Sequence, residues 1–259
     1  MNQEEKKLYL IKYLLSENNK YNDAEIPSNE DDQKKLLRSL FNVRLPAPVG
    51  EEFLRVQDEY LKEEIRLKGI CDIKDLNYIE DGIYLWQGDI TTLRCDAIVN
   101  AANSGLTGCY IPCHNCIDNI IHTYAGVQLR NACNDIMTKQ GHEEVTGNAK
   151  ITSAYNLPCK YVIHTVGTIV NGDVTKKNIE ELKSCYLSCL KLADDNKLDN
   201  IAFCCISTGI FGFPNELATE IAVNTVRDYQ KNSKTKLEVI FNVFKEYDYE
   251  IYKKLLGRY

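Results

Sequence analysis

Two of the chain's four histidines, three of its eleven cysteines and an aspartate fall within fifteen residues, GCYIPCHNCIDNIIH at 108–122. Cys109, Cys113, His114 and Cys116 offer thiol and imidazole donors at spacings that suit a zinc ion in a reduced protein. No second C-x-x-C or H-x-H pair completes a four-ligand finger. Structural zinc sites fill four positions with protein, whereas catalytic ones leave a position open, so the incomplete set reads as reactive chemistry. Pro112 restricts the loop and helps fold Cys109 back toward His114 and Cys116. The plainer alternative is a loop of incidental cysteines beside a surface histidine. Asp118 and His122 stand one turn apart on the helix expected here and can pair at i,i+4. Packing is the commoner fate of such a histidine, and His122 is placed outside the metal's ligands. Proximity to the helix N-terminus favours Cys116 as a thiolate.

A second unusual loop is ISTGIFGFP, 206–214, lying between an apolar run and a helix expected to begin near Pro214. Gly209 and Gly212 let backbone N–H groups come close to a diphosphate, because no Cβ stands in the way. Ser207 and Thr208 add hydroxyls, and Phe211 can cover a bound group. Most glycine-containing loops are only turns, so this one gains weight from its surroundings. Asp89, in QGDIT, reads equally as the N-cap of a short turn. Asn100 and Asn103 close an apolar run, where asparagine is usually a turn former. Asp118 at a first helical turn is also favourable for the dipole alone.

The elements that must position these residues change character along the chain. Residues 1 to about 80 lack alternation and read as helices: Leu8, Ile11 and Leu15 repeat at helical spacing, as do Leu36, Leu37, Leu40 and Phe41. Residues 53–67 form a third such segment, with Pro27, Pro46 and Pro48 as punctuation. Glu30, Asp31 and Asp32 form an acidic first turn. After Gly82 come short apolar runs at 83–87, 96–102, 149–154, 161–166, 200–207 and 237–244, separated by helical patterns at 116–140, 179–196 and 215–231. Strands alternating with helices predict an α/β sandwich with a largely parallel or mixed sheet, whose ligands sit at the carboxyl ends of strands. Both unusual loops fall at such ends.

At 259 residues, with 44% hydrophobic and 26% charged side chains, the chain fits one large domain plus an extension. No apolar run reaches the roughly 18 residues needed to cross a bilayer. MNQEEKKLYLIKYLLSENNK is acidic where a signal peptide is basic and has no small-residue cleavage site, so a cytoplasmic protein with reduced thiols is expected. Cys204 and Cys205, in IAFCCIS, read as small core residues. Net charge −6 argues against a nucleic-acid partner, while leaving room for an anionic small ligand held by backbone amides. Tyr247, Tyr249, Tyr252 and Tyr259 alternate with acids and read as the cover of a last helix rather than as a stacking platform.

GDITTLRCDAIVNAANSGL, IDNIIHTYAG, AKITSAYNLPCKYVIHTVG and CISTGIFGFP, in that order, resemble the macrodomain family of ADP-ribose-binding proteins. The insert GCYIPCHNC and the N-terminal helices resemble its zinc-containing subclass of ADP-ribosyl hydrolases, so the similarity covers almost the whole chain. It implies a three-layer α/β/α macrodomain with a mixed sheet at 81–259, preceded by a helical extension at 1–80. It also implies one zinc ion held by the pattern C-x4-H-x-C, here Cys109, His114 and Cys116. Cys113 is outside the pattern, either as a spare thiol or as a competing ligand. Where many relatives have a glycine-rich loop and V-D-G-A-I-H, this chain has IDNIIH after the cysteine–histidine segment.

By the same resemblance Asp89 accepts from the adenine amino group beside the Ile90 backbone. The 207–211 loop (Ser207, Thr208, Gly209, Ile210, Phe211) holds the diphosphate, Asn103 meets the distal ribose, and Ile117, Asp118 and Asn119 contact ligand. The implied reaction removes ADP-ribose from a protein side chain by cleavage at C1″, with Asn103 and Asp118 as catalytic residues. Ordinary glycosidases mostly use two carboxylates, and this region offers one clear carboxylate plus the metal. Two rival readings remain: a module that reads ADP-ribose without hydrolysing it, and a structural zinc protein with Cys113 as fourth ligand.

Overall fold

The computed structural model describes residues 1–21, 24–233 and 235–257; Tyr259 lies outside them. Three helices come first: α1 (Gln3–Ser16), α2 (Glu30–Val43) and α3 (Glu51–Lys68). Asn2 and Asn29 cap the first two, and the acidic residues expected at the start of α2 occupy its first turn. Their apolar faces meet in a small core of their own, built on Leu10, Leu37, Phe41, Phe53 and Tyr60 and shared with Val127. Each such buried side chain contributes roughly 1.5–3 kcal/mol.

Next come β1 (Cys71–Asp72), β2 (Tyr78–Glu80), β3 (Ile83–Gln87), β4 (Leu93–Arg94) and β5 (Ala97–Ala102). They are followed by α4 (Ile117–Ala125), α5 (Val127–Gln140), β6 (Ala149–Ser153), β7 (Tyr161–Val166) and α6 (Lys176–Asp195). The chain ends with β8 (Asn200–Phe203), α7 (Asn215–Asn232), β9 (Glu238–Val243) and α8 (Glu246–Leu256). The helical expectation for residues 1–80 is therefore too long. Residues 71–72 and 78–80 are strands, and β2 is already the edge of the main sheet. Strands of two or three half-exposed residues carry no alternation to read. The single helical pattern at 116–140 is two helices, parted at Gly126, whose φ of 92° is left-handed and where a Cβ would crowd the Gln57 amide.

The sheet runs β2-β3-β9-β8-β5-β7-β6, with a separate parallel pair β1-β4. β3, β9, β8, β5 and β7 are parallel, and β2 and β6 are antiparallel edges, so the sheet is mixed. Alternation along β7 shows the layering. His164 meets Asn100, whose amide reaches Asp118 of α4, while the next residue, Thr165, stands on the opposite face, where α6 packs against β7 and its Cys185 donates to Val166 O. Helices thus cover both faces. Parallel strands end on one edge, and the loops after β3, β5, β7, β8 and β9 open there together. Among the described residues no helix is long and apolar enough to cross a membrane.

The N-terminal helices are fastened to the sheet domain through polar groups. Arg130 of α5 donates to the carbonyls of Phe41, Asn42 and Arg44 at the end of α2, and to Thr107 on the cysteine-rich loop. Those helix-terminal carbonyls have no partner within α2 itself, so one buried guanidinium closes the helix and joins it to the loop.

Candidate functional site

At the carboxyl end of β5 the chain turns through Asn103, and Asn103 Oδ1 accepts from Gly105 N at 3.0 Å. Its Nδ2 donates to Gly108 O at 3.1 Å and lies 3.4 Å from Asp118 Oδ2. The loop then carries three donors together: the ligand atoms of Cys109, His114 and Cys116 all lie within 4.8 Å of one another. Cys109 Sγ and His114 Nδ1 are 3.7 Å apart. Tetrahedral zinc with ordinary bond lengths separates sulfur and nitrogen by about 3.6 Å, so this set fits the ion. Cys113 is outside the group. Its φ is 51°, its N–H donates to Asn42 Oδ1, and its thiol lies against Ser39 Oγ at 3.2 Å and Lys35 O at 3.4 Å. The off-pattern thiol thus belongs to the α2 contact.

Cys116 is the N-cap of α4, and its sulfur accepts from Asn119 N at 3.4 Å. That N–H favours the thiolate, yet burial outweighs it and pushes the thiol up to about 12. The N–H at the helix terminus thus acts in the expected direction, toward the thiolate, and desolvation opposes it.

Asp118, two residues on, is buried. Asn100 Nδ2 donates to its Oδ1 at 2.8 Å, and burial pushes its carboxyl up to about 6 against that hydrogen bond and the charge of Arg130. His122 Nε2 lies 3.6 Å from Asp118 Oδ1, beyond hydrogen-bond length, and burial holds the imidazole well below its ordinary value. Ile117 is half-buried on the first turn. Asn119 is fully buried, and its amide donates to Cys109 O and Ile111 O, so its side chain is committed to shaping the loop.

After β3, Asp89 does cap a short turn: Oδ1 accepts from Thr91 N and Oγ1, while Oδ2 accepts from Lys68 at 2.8 Å. Burial acts upward on its carboxyl, but Lys68 and Thr91 outweigh it and hold the carboxyl below its usual value. The Ile90 side chain is buried, leaving its backbone for contact. After β9, Phe244 is 74% exposed, and Gly88 N bonds Val243 O, which sets this open aromatic beside the Asp89 turn. Nothing in the apolar run 237–244 singles out Phe244 except its place as the run's last residue.

The loop after β8 is fixed through Gly212 and Phe213 N–H groups, and Thr208 Oγ1 donates to Cys205 O. Ser207 has φ 64°, and its buried Oγ has no hydrogen-bond partner among the described residues. Gly209 and Ile210 are exposed, and Phe211 O accepts from Val170 N. Ser207 thus combines a left-handed backbone with an unused buried hydroxyl at the carboxyl end of a parallel strand.

Residues 99–222 match the Macro domain family model. A protein-ADP-ribose hydrolase from Treponema medium is 55% identical over 99% of this chain and 100% of its own length. The chain belongs to the macrodomain family. A protein-ADP-ribose hydrolase from Staphylococcus aureus strain MSSA476 is 51% identical, covering 96% of this macrodomain chain and 94% of its own. The crystal structure of the Trypanosoma brucei macrodomain in complex with ADP-ribose is 30% identical, with a TM-score of 0.66, and covers 85% of this chain and 95% of that one. The mixed sheet between helical layers is thus the macrodomain fold anticipated from the motifs.

Proposed function

We propose that this protein is a zinc-dependent hydrolase that removes mono-ADP-ribose from modified protein side chains by cleaving at C1″ of the distal ribose. One juxtaposition carries the reading. A buried, hydrogen-bonded carboxylate, Asp118, stands two residues from a cluster of two thiols and an imidazole at the open end of the sheet. The protein-ADP-ribose hydrolases named above, at 51–55% identity, support the same activity.

In this reading each residue takes its role from its chemistry. Asp89 accepts from the adenine amino group through the lone pairs its cap and Lys68 leave, with the Ile90 backbone alongside. Phe244 offers a face for the base. The N–H groups of Gly209, Ile210 and Phe211 face the diphosphate, with the hydroxyls of Ser207 and Thr208 beside them. Asn103 holds a distal ribose hydroxyl, and the start of α4 at Ile117, Asp118 and Asn119 forms the wall beneath it.

In the bond-breaking step a water oxygen attacks C1″ as the bond to the side-chain atom breaks. Asp118 takes the proton from the water and returns one to the leaving atom. Burial makes this carboxylate more basic than usual while leaving it largely ionised at neutral pH. Cys109, His114 and Cys116 would hold the zinc. Its chemistry when bound is orientation of a ribose hydroxyl or of the water: two thiolates balance its charge, so acidification is weaker than in a three-histidine site, where water has a pKa of about 7.

The separating experiment is incubation of a mono-ADP-ribosylated protein with the full chain, followed by mass spectrometry. Release of free ADP-ribose supports the hydrolase; a retained modification with tight ADP-ribose binding supports the reader. The structural-zinc reading loses its fourth ligand, since Cys113 faces α2.

A further inference from the structure

The metal loop belongs to no helix or strand, and part of what shapes it comes from outside the sheet domain. Arg38, on α2, donates from Nη2 to His114 O at 2.6 Å and to Asn119 Oδ1 at 2.9 Å. Asn119 in turn donates from Nδ2 to Cys109 O at 3.3 Å and from its backbone N–H to Cys116 Sγ at 3.4 Å. Arg38 and Asn119 together therefore touch all three members of the donor set, Cys116 through the Asn119 backbone N–H. One turn further along α2, Asn42 accepts from Cys113 N at 2.9 Å and donates to Thr123 Oγ1 on α4. Ser39 meets the Cys113 thiol between these two contacts.

We infer that α2 is part of the metal centre: Arg38 is a positioning residue that holds the Cys109–His114–Cys116 loop in its metal-ready shape. The inference rests on the zinc reading for its ligand but not for its geometry. A metal that binds a mobile loop must order that loop first, and the backbone entropy lost is charged against its affinity. A loop already held by hydrogen bonds to the ligands' own carbonyls avoids that loss. Arginine suits the task because its planar donors can serve two acceptors at once, which a lysine ammonium does less well. It touches a carbonyl and a carboxamide, not a sulfur or the imidazole, so its part is placement. The N-terminal helices then serve the reaction itself.

The test uses the full chain as wild type, Arg38→Ala and Arg38→Lys. Zinc affinity is read by competition with a chromogenic chelator. Hydrogen exchange of residues 109–116 is read in zinc-free protein, with β5 and β7 amides as the check on folding. Binding of ADP, which lacks the distal ribose, and the kcat and KM of hydrolysis complete the set. Arg38→Ala is expected to bind zinc about 10–100-fold more weakly, to exchange faster at 109–116 alone, to keep its ADP affinity and to lose kcat. Arg38→Lys falls between it and wild type, and it decides the matter if Arg38→Ala loses protection in β5 and β7. Wild-type zinc affinity and exchange in Arg38→Ala overturn the inference. If the wild-type chain binds no zinc, the zinc reading falls. The exchange then decides alone: faster exchange at 109–116 supports the clamp, and unchanged exchange overturns it.

Discussion

Asn100 Nδ2 donates to Asp118 Oδ1 at 2.8 Å, so a fully buried side chain within β5 fixes the carboxylate at the start of α4. The same nitrogen lies 3.2 Å from His164 Nδ1 on the neighbouring strand. Burial drives the Asp118 carboxyl up, to about 6, and the Asn100 bond restrains it by favouring the charged form. Asn100→Leu removes that donor, so the carboxyl moves higher and is ionised only at higher pH. A proton acceptor works as the carboxylate, so the rising limb of kcat/KM against pH should shift upward by on the order of one unit. A limb that stays where it is would show that Asn100 does not set this group.

Gly108 has φ 86°, and a Cβ placed on it would lie 2.8 Å from the ring of His122. Both the backbone and the packing exclude a larger residue. Gly108→Ala is expected to destabilise by about 1–3 kcal/mol, a Tm drop of about 2–4 °C for each kcal/mol at this size. Thermal unfolding of the two proteins checks it. Equal midpoints would mean that the loop moves away from α4 at no cost.

Much of this arrangement is readable before any coordinates. The six apolar runs found by pattern each contain a strand; five are parallel strands, nearly continuous in apolar residues, and the sixth is the antiparallel edge β6. The convergence of Asp89, Asn103 and Ser207 at one edge follows from parallel pairing, whereas the order of the strands is not in the pattern. What pattern cannot reveal is which polar residues serve the loop. Asn119 reads as a ligand contact from its place beside Asp118, yet its side chain holds Cys109 and Ile111 carbonyls. Arg38 lies 76 residues before the carbonyl it grips, and nothing local marks one arginine on an amphipathic helix. Cys113 lies between the three ligands in sequence though outside their pattern, and its left-handed backbone and its contacts with Ser39 and Lys35 show where its thiol goes.

His164 is fully buried and neutral, its imidazole pulled down to about 3 by burial from an ordinary value of 6.5. Unfolding exposes it, and below pH 6.5 the unfolded chain takes up a proton that the folded one refuses. Its contribution is therefore present above pH 6.5 and is lost as pH falls toward 3. His164→Gln should lose less stability than wild type between pH 7 and pH 5, measured by thermal unfolding in matched buffers. Parallel losses in the two proteins would assign acid sensitivity to other groups.

Ser207 keeps a buried hydroxyl without a partner among the described residues, and a Cβ on Gly167 would collide with it. Such a group costs stability unless a ligand completes it. Ser207→Ala should leave Tm unchanged or slightly raised, while ADP-ribose affinity falls by about 3–10-fold, the equivalent of one net hydrogen bond. Titration calorimetry reads the affinity. Undiminished binding would place the diphosphate elsewhere.

The most direct measurement pairs metal content with turnover. The purified protein is assayed for zinc and for release of ADP-ribose from a modified protein, then stripped with a chelator and reloaded. The account predicts one zinc per chain, hydrolysis lost on stripping and regained on reloading, and neither zinc nor turnover in Cys116→Ala. Undiminished hydrolysis by the zinc-free protein would contradict it.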